Sequence, residues 1–520
     1  MATEFQLDER VSRWQAQDNE DQLSGPTQWA SDRPVYEWQQ GYTEETAPVD
    51  WELEKSLFDQ ETRMKTGIFF ADFQKTEVGI KGAPEGFRVI DNFKDIGLHP
   101  TIVENIAKMD FLIPTPVQKN TIPLILQGYD VMACAQTGSG KTGAFLIPIL
   151  SKLLQKLANP KFEQQRNPPG ARRTKAAPLA LLILPTRELA IQIFDETRRL
   201  TYKSRLRPVV IYGGSQMQNQ KDQLVRGCEI LIATPGRLVD SIERGLVSLA
   251  KVKYVVLDEA DRILDMGFEP TIREIMLKSD LPRDEGLRTS MFSATFPTEV
   301  QILARDFLMD DYVRLRVGRI GGTTRGIVQK VVQVEDLEKE KALINLLLSQ
   351  PPSRTLVFVE TKRKADYLDD VLFNMNFPCV SIHGDRSQQE REQAMEAFRT
   401  GRSPILIATA VAARGLDIKD VIHVVNYDLC DDIDDYIHRI GRTARAGNEG
   451  LATSFYNERN YMIGEPLAQL IRECGQEVPQ CLKEFDTGKM TFFDERADFV
   501  DGVPGEGSEN GEENSGFNGD

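Results

Sequence analysis

An apolar run, DVMACA at 130–135, breaks into glycines and then meets a lysine and a threonine, AQTGSGKT at 135–142. That order, buried strand to tight glycine turn to helix start, builds a cradle of backbone N–H groups and restricts the fold to parallel α/β layers. The surrounding pattern agrees. Short apolar runs recur at 130–135, 180–185, 208–212, 229–234, 253–258 and 289–294, and again at 355–360, 378–383, 404–409 and 421–426. Longer amphipathic stretches separate them, as sheets covered by helices require. Between the two sets lies RVGRIGGTTRG (316–326), which reads as a linker. The pentamer ILIAT occurs at 230–234 and at 405–409. Buried strands draw on a small vocabulary, so the repeat is either coincidence or the mark of two equivalent halves.

Charge divides the chain differently. The whole carries −16, with −10 in residues 1–86, −8 in 486–520 and +2 in the 87–485 body. The acidity belongs to the ends, so the body can still carry a local basic groove. Both ends read as disordered extensions on composition. All four tryptophans, Trp14, Trp29, Trp38 and Trp51, fall in the first of them. They are either aromatic scatter or short motifs for docking protein partners. The basic, proline-containing stretch 159–177 reads as a surface insert. Six scattered cysteines lack clamp spacing and read as reduced thiols. No run of about 18 apolar residues suggests a membrane span, and the N-terminus lacks a signal-peptide pattern.

The chemistry-bearing motifs follow. In the glycine turn, Gly138 and Gly140 free the backbone to face phosphates, Lys141 can reach their outer oxygens, and the Thr142 hydroxyl can ligate Mg2+. VVLDEAD (255–261) ends a strand in carboxylates, placing Asp258 to hold the ion's shell and Glu259 to orient or deprotonate a water. The second half lacks such a loop but carries TAVAARGLD (409–417) and HRIGRTAR (438–445). Three-residue spacing predicts that Arg442 and Arg445 share one helical face and point at one anion. One phosphate loop in the first half and clustered arginines in the second suggest two halves sharing one ATP.

FLIPTPVQ, AQTGSGKT, PTREL, GG, TPGRL, DEAD, SAT, HGD, TAVAARGLD and HRIGRTAR stand in the order of the DEAD-box RNA helicases, and over residues 87–485 the chain resembles that family. IHGDRSQQERE, TAVAARGLDI and GQEVPQCL look most like its Vasa/Belle-type branch. The resemblance implies two tandem RecA-like domains with parallel sheets, at 87–315 and 327–485. It implies an ATP-dependent RNA helicase with RNA-stimulated ATPase activity, using Mg2+, that locally unwinds short duplexes or remodels ribonucleoproteins in mRNA translation. An ATP-gated RNA clamp is the alternative. A cytoplasmic monomer, with nuclear shuttling open, is also implied.

By the same resemblance, ATP is bound by Phe93, which stacks on adenine, by Gln118, which reads its edge, by Ala135, Gln136, Thr137, Gly138, Ser139, Gly140, Lys141 and Thr142, and by Asp417 on the ribose. Catalysis falls to Lys141, Asp258, Glu259, His438, Arg442 and Arg445, and metal binding to Thr142 and Asp258. Ser293 and Thr295 couple hydrolysis to domain movement. RNA contacts are implied for Pro185, Thr186, Arg187, Gly213, Gly214, Thr234, Gly236, Arg237, Gly384, Thr409 and Arg414. Such a set grips sugar and phosphate without reading bases. Two departures stand out. Asp110 replaces a common glycine, and Ala444 replaces another, with a methyl expected to fit a helix there.

Overall fold

The computed structural model describes residues 30–39, 41–43, 46–58, 74, 76–136, 138–157, 175–283, 286–318, 326–413, 421–444 and 449–486. Fourteen strands form two sheets among them. The first holds β1 (Val78–Lys81), β2 (Val131–Ala135), β3 (Ala180–Ile183), β4 (Pro208–Ile211), β5 (Ile230–Ala233), β6 (Tyr254–Leu257), β7 (Arg288–Ser293) and β8 (Val313–Val317). The second holds β9 (Ile327–Gln333), β10 (Thr355–Val359), β11 (Cys379–Ile382), β12 (Ile405–Thr409), β13 (His423–Asn426) and β14 (Gly450–Tyr456).

The spatial orders are β1-β8-β2-β7-β6-β3-β5-β4 and β11-β12-β10-β13-β14-β9. Every pairing is parallel except β1 on β8. Laid side by side, β4-β5-β3-β6-β7-β2 and β11-β12-β10-β13-β14-β9 run in the same order. The two ILIAT segments, β5 and β12, therefore hold the same place in each sheet, each second from the same edge. The repeat is duplicated architecture: two tandem RecA-like domains.

Central strands such as β3 and β6 are buried along their whole length, as in sheets covered on both faces. Alternate residues of one strand feed separate cores. Ala180 and Leu182 join one apolar cluster, and Leu181 and Ile183 join the other. In the second domain Val357 and Val359 part from Leu356 and Phe358 in the same way.

Three expectations change. The linker reading began at residue 316, yet Arg316 and Val317 belong to β8, paired with β1 and β2; residues 319–325 lie outside the described residues. The 1–86 extension was read as disordered, yet its described part is folded onto the first domain. Tyr36, Ala47, Leu53 and Leu57 cluster around the buried Tyr202, the Tyr36 hydroxyl donates to the Pro48 carbonyl at 2.7 Å, and Lys108 bonds Glu54 at 2.9 Å. Aromatic side chains on a polar segment overrode its acidic composition by finding one ring 166 residues away. Trp38 is spent in the same packing, edge-on to Tyr42 and beneath the Arg205 guanidinium. Trp51 is 75% exposed; Trp14 and Trp29 lie outside the described residues, as does 487–520.

Candidate nucleotide site and nucleic-acid interface

β2 delivers the chain into the glycine turn, and the helix Lys141–Leu157 leaves it. Gly138 and Gly140 take φ of 76° and 91°, the left-handed region that side chains avoid. Space is also closed. A Cβ on Gly140 would lie 2.8 Å from the Gln118 amide nitrogen, and one on Gly143 2.7 Å from the same atom. Gln118 sits in the first turn of the helix Pro116–Gln127, where its Oε1 accepts from the Thr115 amide at 3.0 Å. Its Nε2 donates to the Gly140 carbonyl at 3.0 Å. The glutamine expected to read a base edge is thus stitched to the phosphate loop.

Lys141 is buried, with its ammonium donating to the carbonyls of Ala135 and, at 3.3 Å, Gln136. The Ser139 hydroxyl is buried without a partner. A lysine folded into a turn with open glycine amides and an orphan hydroxyl suits a polyphosphate. Thr142 follows Lys141 on the helix, half-buried, while Thr137 lies outside the described residues. Phe93 opens a short 3-10 helix and is 3% exposed, its ring taken into the first apolar core instead of lying open.

The carboxylates stand at the end of β6. The Asp258 amide donates to the Ile183 carbonyl at 3.2 Å. Burial, with Glu259 and Asp261 adding, pushes the Asp258 carboxyl up to about 7 against the pull of Lys141. Glu259 holds φ at 52°, a left-handed backbone rare outside functional turns. Its amide donates to Asp258 at 2.9 Å, and its Oε2 is buried without a partner. A raised carboxyl and an orphan carboxylate oxygen side by side fit a divalent ion and its water.

Asp261 is the junction. Its Oδ2 accepts from the amides of Ala294 (3.1 Å) and Thr295 (3.0 Å) and from the Thr295 hydroxyl (2.9 Å), and Ser293 Oγ accepts from its amide at 3.4 Å. The same oxygen lies 3.6 Å from His438 Nε2 in the second domain. Beside it Arg262 reaches Asp435 of the second domain at 3.5 Å. Burial, reinforced by the charge of Arg262, drives the His438 imidazole far below its ordinary range, so it is neutral at pH 7. Burial opposes ionisation of Asp261, but nearby positive charge and the Thr295 amide bring it below the usual carboxylate range.

The helix Ile433–Ile440 carries His438 and stops at Gly441. Arg442 therefore lies past the helix, its Nε donating to the His438 carbonyl at 3.1 Å. Arg442 does not sit on the helical face that the spacing predicts. Ala444 takes φ of 55°, so its methyl sits on a left-handed backbone and not in a helix; Asp110, at 60°, shows why glycine suits that place too. Arg445, Arg414 and Asp417 lie outside the described residues.

A second constellation lines the same strand ends. Pro185 and Thr186 follow β3, and Thr186 caps the helix Arg187–Leu200. Arg187 rests on Gly213 and Gly214, where a Cβ at 214 would meet its Nη1 at 2.2 Å. Thr234 precedes the helix Pro235–Glu243. Gly236 there has open space around it, and Arg237 bonds Gln220 (2.9 Å) and the Ser215 carbonyl (3.2 Å). Across the cleft, Thr409 ends β12 and Gly384 lies against Lys362. The helix Gln388–Thr400 closes the gap: Arg187 donates to Gln388 at 3.1 Å, Arg391 pairs with Glu188 at 2.5 Å, and Tyr212 donates to Glu392 at 3.2 Å. Burial and the like charge of Arg391 push the Arg187 guanidinium down, which an added phosphate would relieve.

Sequence reading overlooked Asp261, Arg262, Asp435, Glu188, Gln388 and Arg391. Asp261 closes a motif already noticed, and three-residue spacing puts Gln388 and Arg391 on one helical face. Glu188 likewise lies in the quoted PTREL, and nothing local marks Asp435.

Two family models match: the DEAD/DEAH box helicase over residues 115–303 and the helicase conserved C-terminal domain over 338–447. A DEAD box protein from the hyperthermophile Methanococcus jannaschii is 35% identical, over 75% of this chain and 98% of its own, with a TM-score of 0.42. The chain belongs to the DEAD-box helicase family. S. cerevisiae Dbp5 bound to RNA and ADP BeF3 is 29% identical, covering 75% of this chain and 94% of its own at a TM-score of 0.63. Mss116p bound to ssRNA and AMP-PNP is 28% identical, covering 75% and 78% at 0.63.

Proposed function

We propose that this DEAD-box helicase is an RNA-stimulated ATPase whose two domains close on ATP and single-stranded RNA and part short duplexes locally. One observation carries the reading. Asp261, in the carboxylate motif, bonds Thr295 of its own domain and meets His438 of the other at 3.6 Å. Closure at this joint and closure at the Arg187–Gln388 face are one movement, so RNA on one face favours a complete nucleotide site on the other.

In this reading Lys141 and the amides around Gly138, Ser139 and Gly140 take the phosphates, with Gln118 on the base, Asp417 on the ribose, and Phe93 stacking on the base only after its ring leaves the apolar core that holds it here. Thr142 and Asp258 would hold Mg2+, which when bound supplies charge to the phosphate oxygens. Glu259 orients water, its free Oε2 already desolvated. Arg442 and Arg445 meet negative charge as it builds on the transferred phosphoryl. RNA lies on Pro185, Thr186, Arg187, Gly213, Gly214, Thr234, Gly236 and Arg237, and on Gly384, Thr409 and Arg414 opposite. These groups reach backbone and 2′-hydroxyl, which favours RNA over DNA. The bound RNA of Dbp5 and Mss116p supports the ligand class. Membership of the Vasa/Belle-type branch, action in translation, a cytoplasmic monomer and docking through Trp51 complete the proposal. Among the described residues no helix is long and apolar enough to cross a membrane.

ATP turnover and duplex displacement decide it. RNA stimulates the wild type, and Glu259→Gln loses roughly 10²- to 10⁴-fold in turnover while still binding RNA with ATP. Equal stimulation by DNA would remove the RNA assignment. Displacement far slower than ATP-held dwell on single strands would favour a clamp.

A further inference from the structure

Tyr212 stands where the two halves of the RNA face meet. It follows β4 directly, and its ring is buried in the first domain's apolar core. Its carbonyl accepts from Gln220 Nε2 at 2.9 Å. Gln220, itself fully buried, uses the same nitrogen on the Ser215 hydroxyl at 2.5 Å, and its Oε1 accepts from Arg237 at 2.9 Å. The Tyr212 backbone is thereby tied to one of the arginines proposed to meet RNA. The Tyr212 hydroxyl serves the other domain, donating to Glu392 Oε1 at 3.2 Å.

A ring of contacts closes from there. Glu392 Oε1 also accepts from Gln388 Nε2 at 3.2 Å, one turn back on the helix Gln388–Thr400. Gln388 Oε1 accepts from Arg187 at 3.1 Å. Arg187 lies over Gly213 and Gly214, which follow Tyr212 in the chain. The ring therefore encloses the glycine loop and crosses the cleft twice. Its two crossings differ. A phosphate on Arg187 would compete with the bond to Gln388. Tyr212 has no such second claim, because burial and the Glu392 charge push its phenol up and keep it a proton donor. Burial also pushes the half-buried Glu392 carboxyl up, and the bonds from Gln388 and Tyr212 and the charge of Arg33 draw it back. Closing the domains takes hydroxyl and carboxylate out of water together, and the bond between them offsets that cost.

We infer that Tyr212 is a positioning residue for closure on RNA: its hydroxyl, bonded to Glu392 of the second domain, ties closure to the placement of the loop Gly213–Gly214 that grips the strand. The inference rests on the proposed RNA-stimulated ATPase. It adds to that reading the residue that joins the loop to the moving domain.

The full-length protein is assayed with a single-stranded poly(U) probe. Tyr212→Phe removes one oxygen and keeps the ring. It should raise the RNA concentration for half-maximal ATPase by about tenfold, the size of one hydrogen bond to a charged group. Turnover at saturating RNA should stay within about twofold, since the hydroxyl touches no reacting atom. ATP affinity without RNA should not move, because the bond forms only when the domains meet. Glu392→Leu, on the other domain and unable to loosen the core around Tyr212, should raise the RNA requirement by itself. It should also abolish the further effect of Tyr212→Phe, since an apolar pair strands no polar group. Full additivity of the two would mean that Tyr212→Phe acts on its own domain alone. That result, or an RNA requirement within about twofold of wild type in either single variant, would overturn the inference. A wild type that RNA does not stimulate would overturn the functional reading instead, and this inference with it.

Discussion

Two carboxylates occupy matching ends of the two sheets, and their fates differ. The Asp258 amide bonds the Ile183 carbonyl beyond β6, and the Asp428 amide bonds the Phe358 carbonyl beyond β13, both at 3.2 Å. Strand order makes β6 and β13 counterparts, as it does β3 and β10. In the second domain Asp428 is satisfied from within: Lys339 at 3.2 Å, Lys364 at 2.9 Å and the Glu360 amide at 3.0 Å. In the first, Asp258 has Glu259 and Asp261 close by, with the Lys141 charge and the Glu259 amide in opposition. One architecture thus carries a closed internal ion cluster in one copy and an unfinished, charge-poor centre in the other. The unfinished copy is the one with the phosphate loop, as the proposed function requires of a centre completed by a bound ion and the second domain.

Four measurements test this contrast. The largest effect is expected where the second domain lends charge to the unfinished centre. Arg442→Ala should lower RNA-stimulated ATP turnover by ~10³-fold or more, with ATP binding largely kept; turnover within about tenfold of wild type would mean the centre is completed without it. Next come the carboxylates themselves, read by urea denaturation without ligands. Asp428→Asn strands two lysines and should destabilise the second domain by about 3 kcal/mol. Asp258→Asn should instead stabilise the first, because a carboxyl raised to about 7 in the fold is held against an unfolded chain in which it is ionised at neutral pH. Equal losses would erase the distinction.

The third concerns pH at the joint. Burial lowers His438 to about 3 in the closed arrangement, below its ordinary 6.5. A depressed value means that closure is fully favoured above 6.5 and is lost as pH falls from there toward 3. The RNA concentration for half-maximal ATPase should rise about tenfold between pH 7.5 and 5.5; a flat profile would place His438 outside the moving joint. The smallest effect belongs to Ala444, whose methyl rides on φ of 55°. Ala444→Gly should stabilise the second domain by about 1 kcal/mol in thermal melts.

What could be read beforehand follows from how local each signal is. The phosphate loop, the DEAD carboxylates and the buried central strands announce themselves within a few residues, and they lie where expected. β9 was missed because alternate residues such as Val328 and Val332 face solvent, leaving no continuous apolar run. Arg442 was misplaced because spacing was taken as helix where the chain turns. The folded part of the extension was invisible for a different reason. Its aromatic residues pack on Tyr202, and its Arg33 on Asp195, partners more than 140 residues away, and no window of sequence holds both.

β1 has one further consequence. Among the described residues it alone covers the outer edge of β8, pairing Val78–Lys81 with Arg314–Val317. A fragment trimmed to begin at residue 87 would bare a row of open N–H and C=O groups, together with the apolar patch around Tyr202. Such an edge recruits strands from neighbouring molecules. Clumping or poor solubility in a trimmed preparation would then report a lost border strand and not an unstable catalytic core.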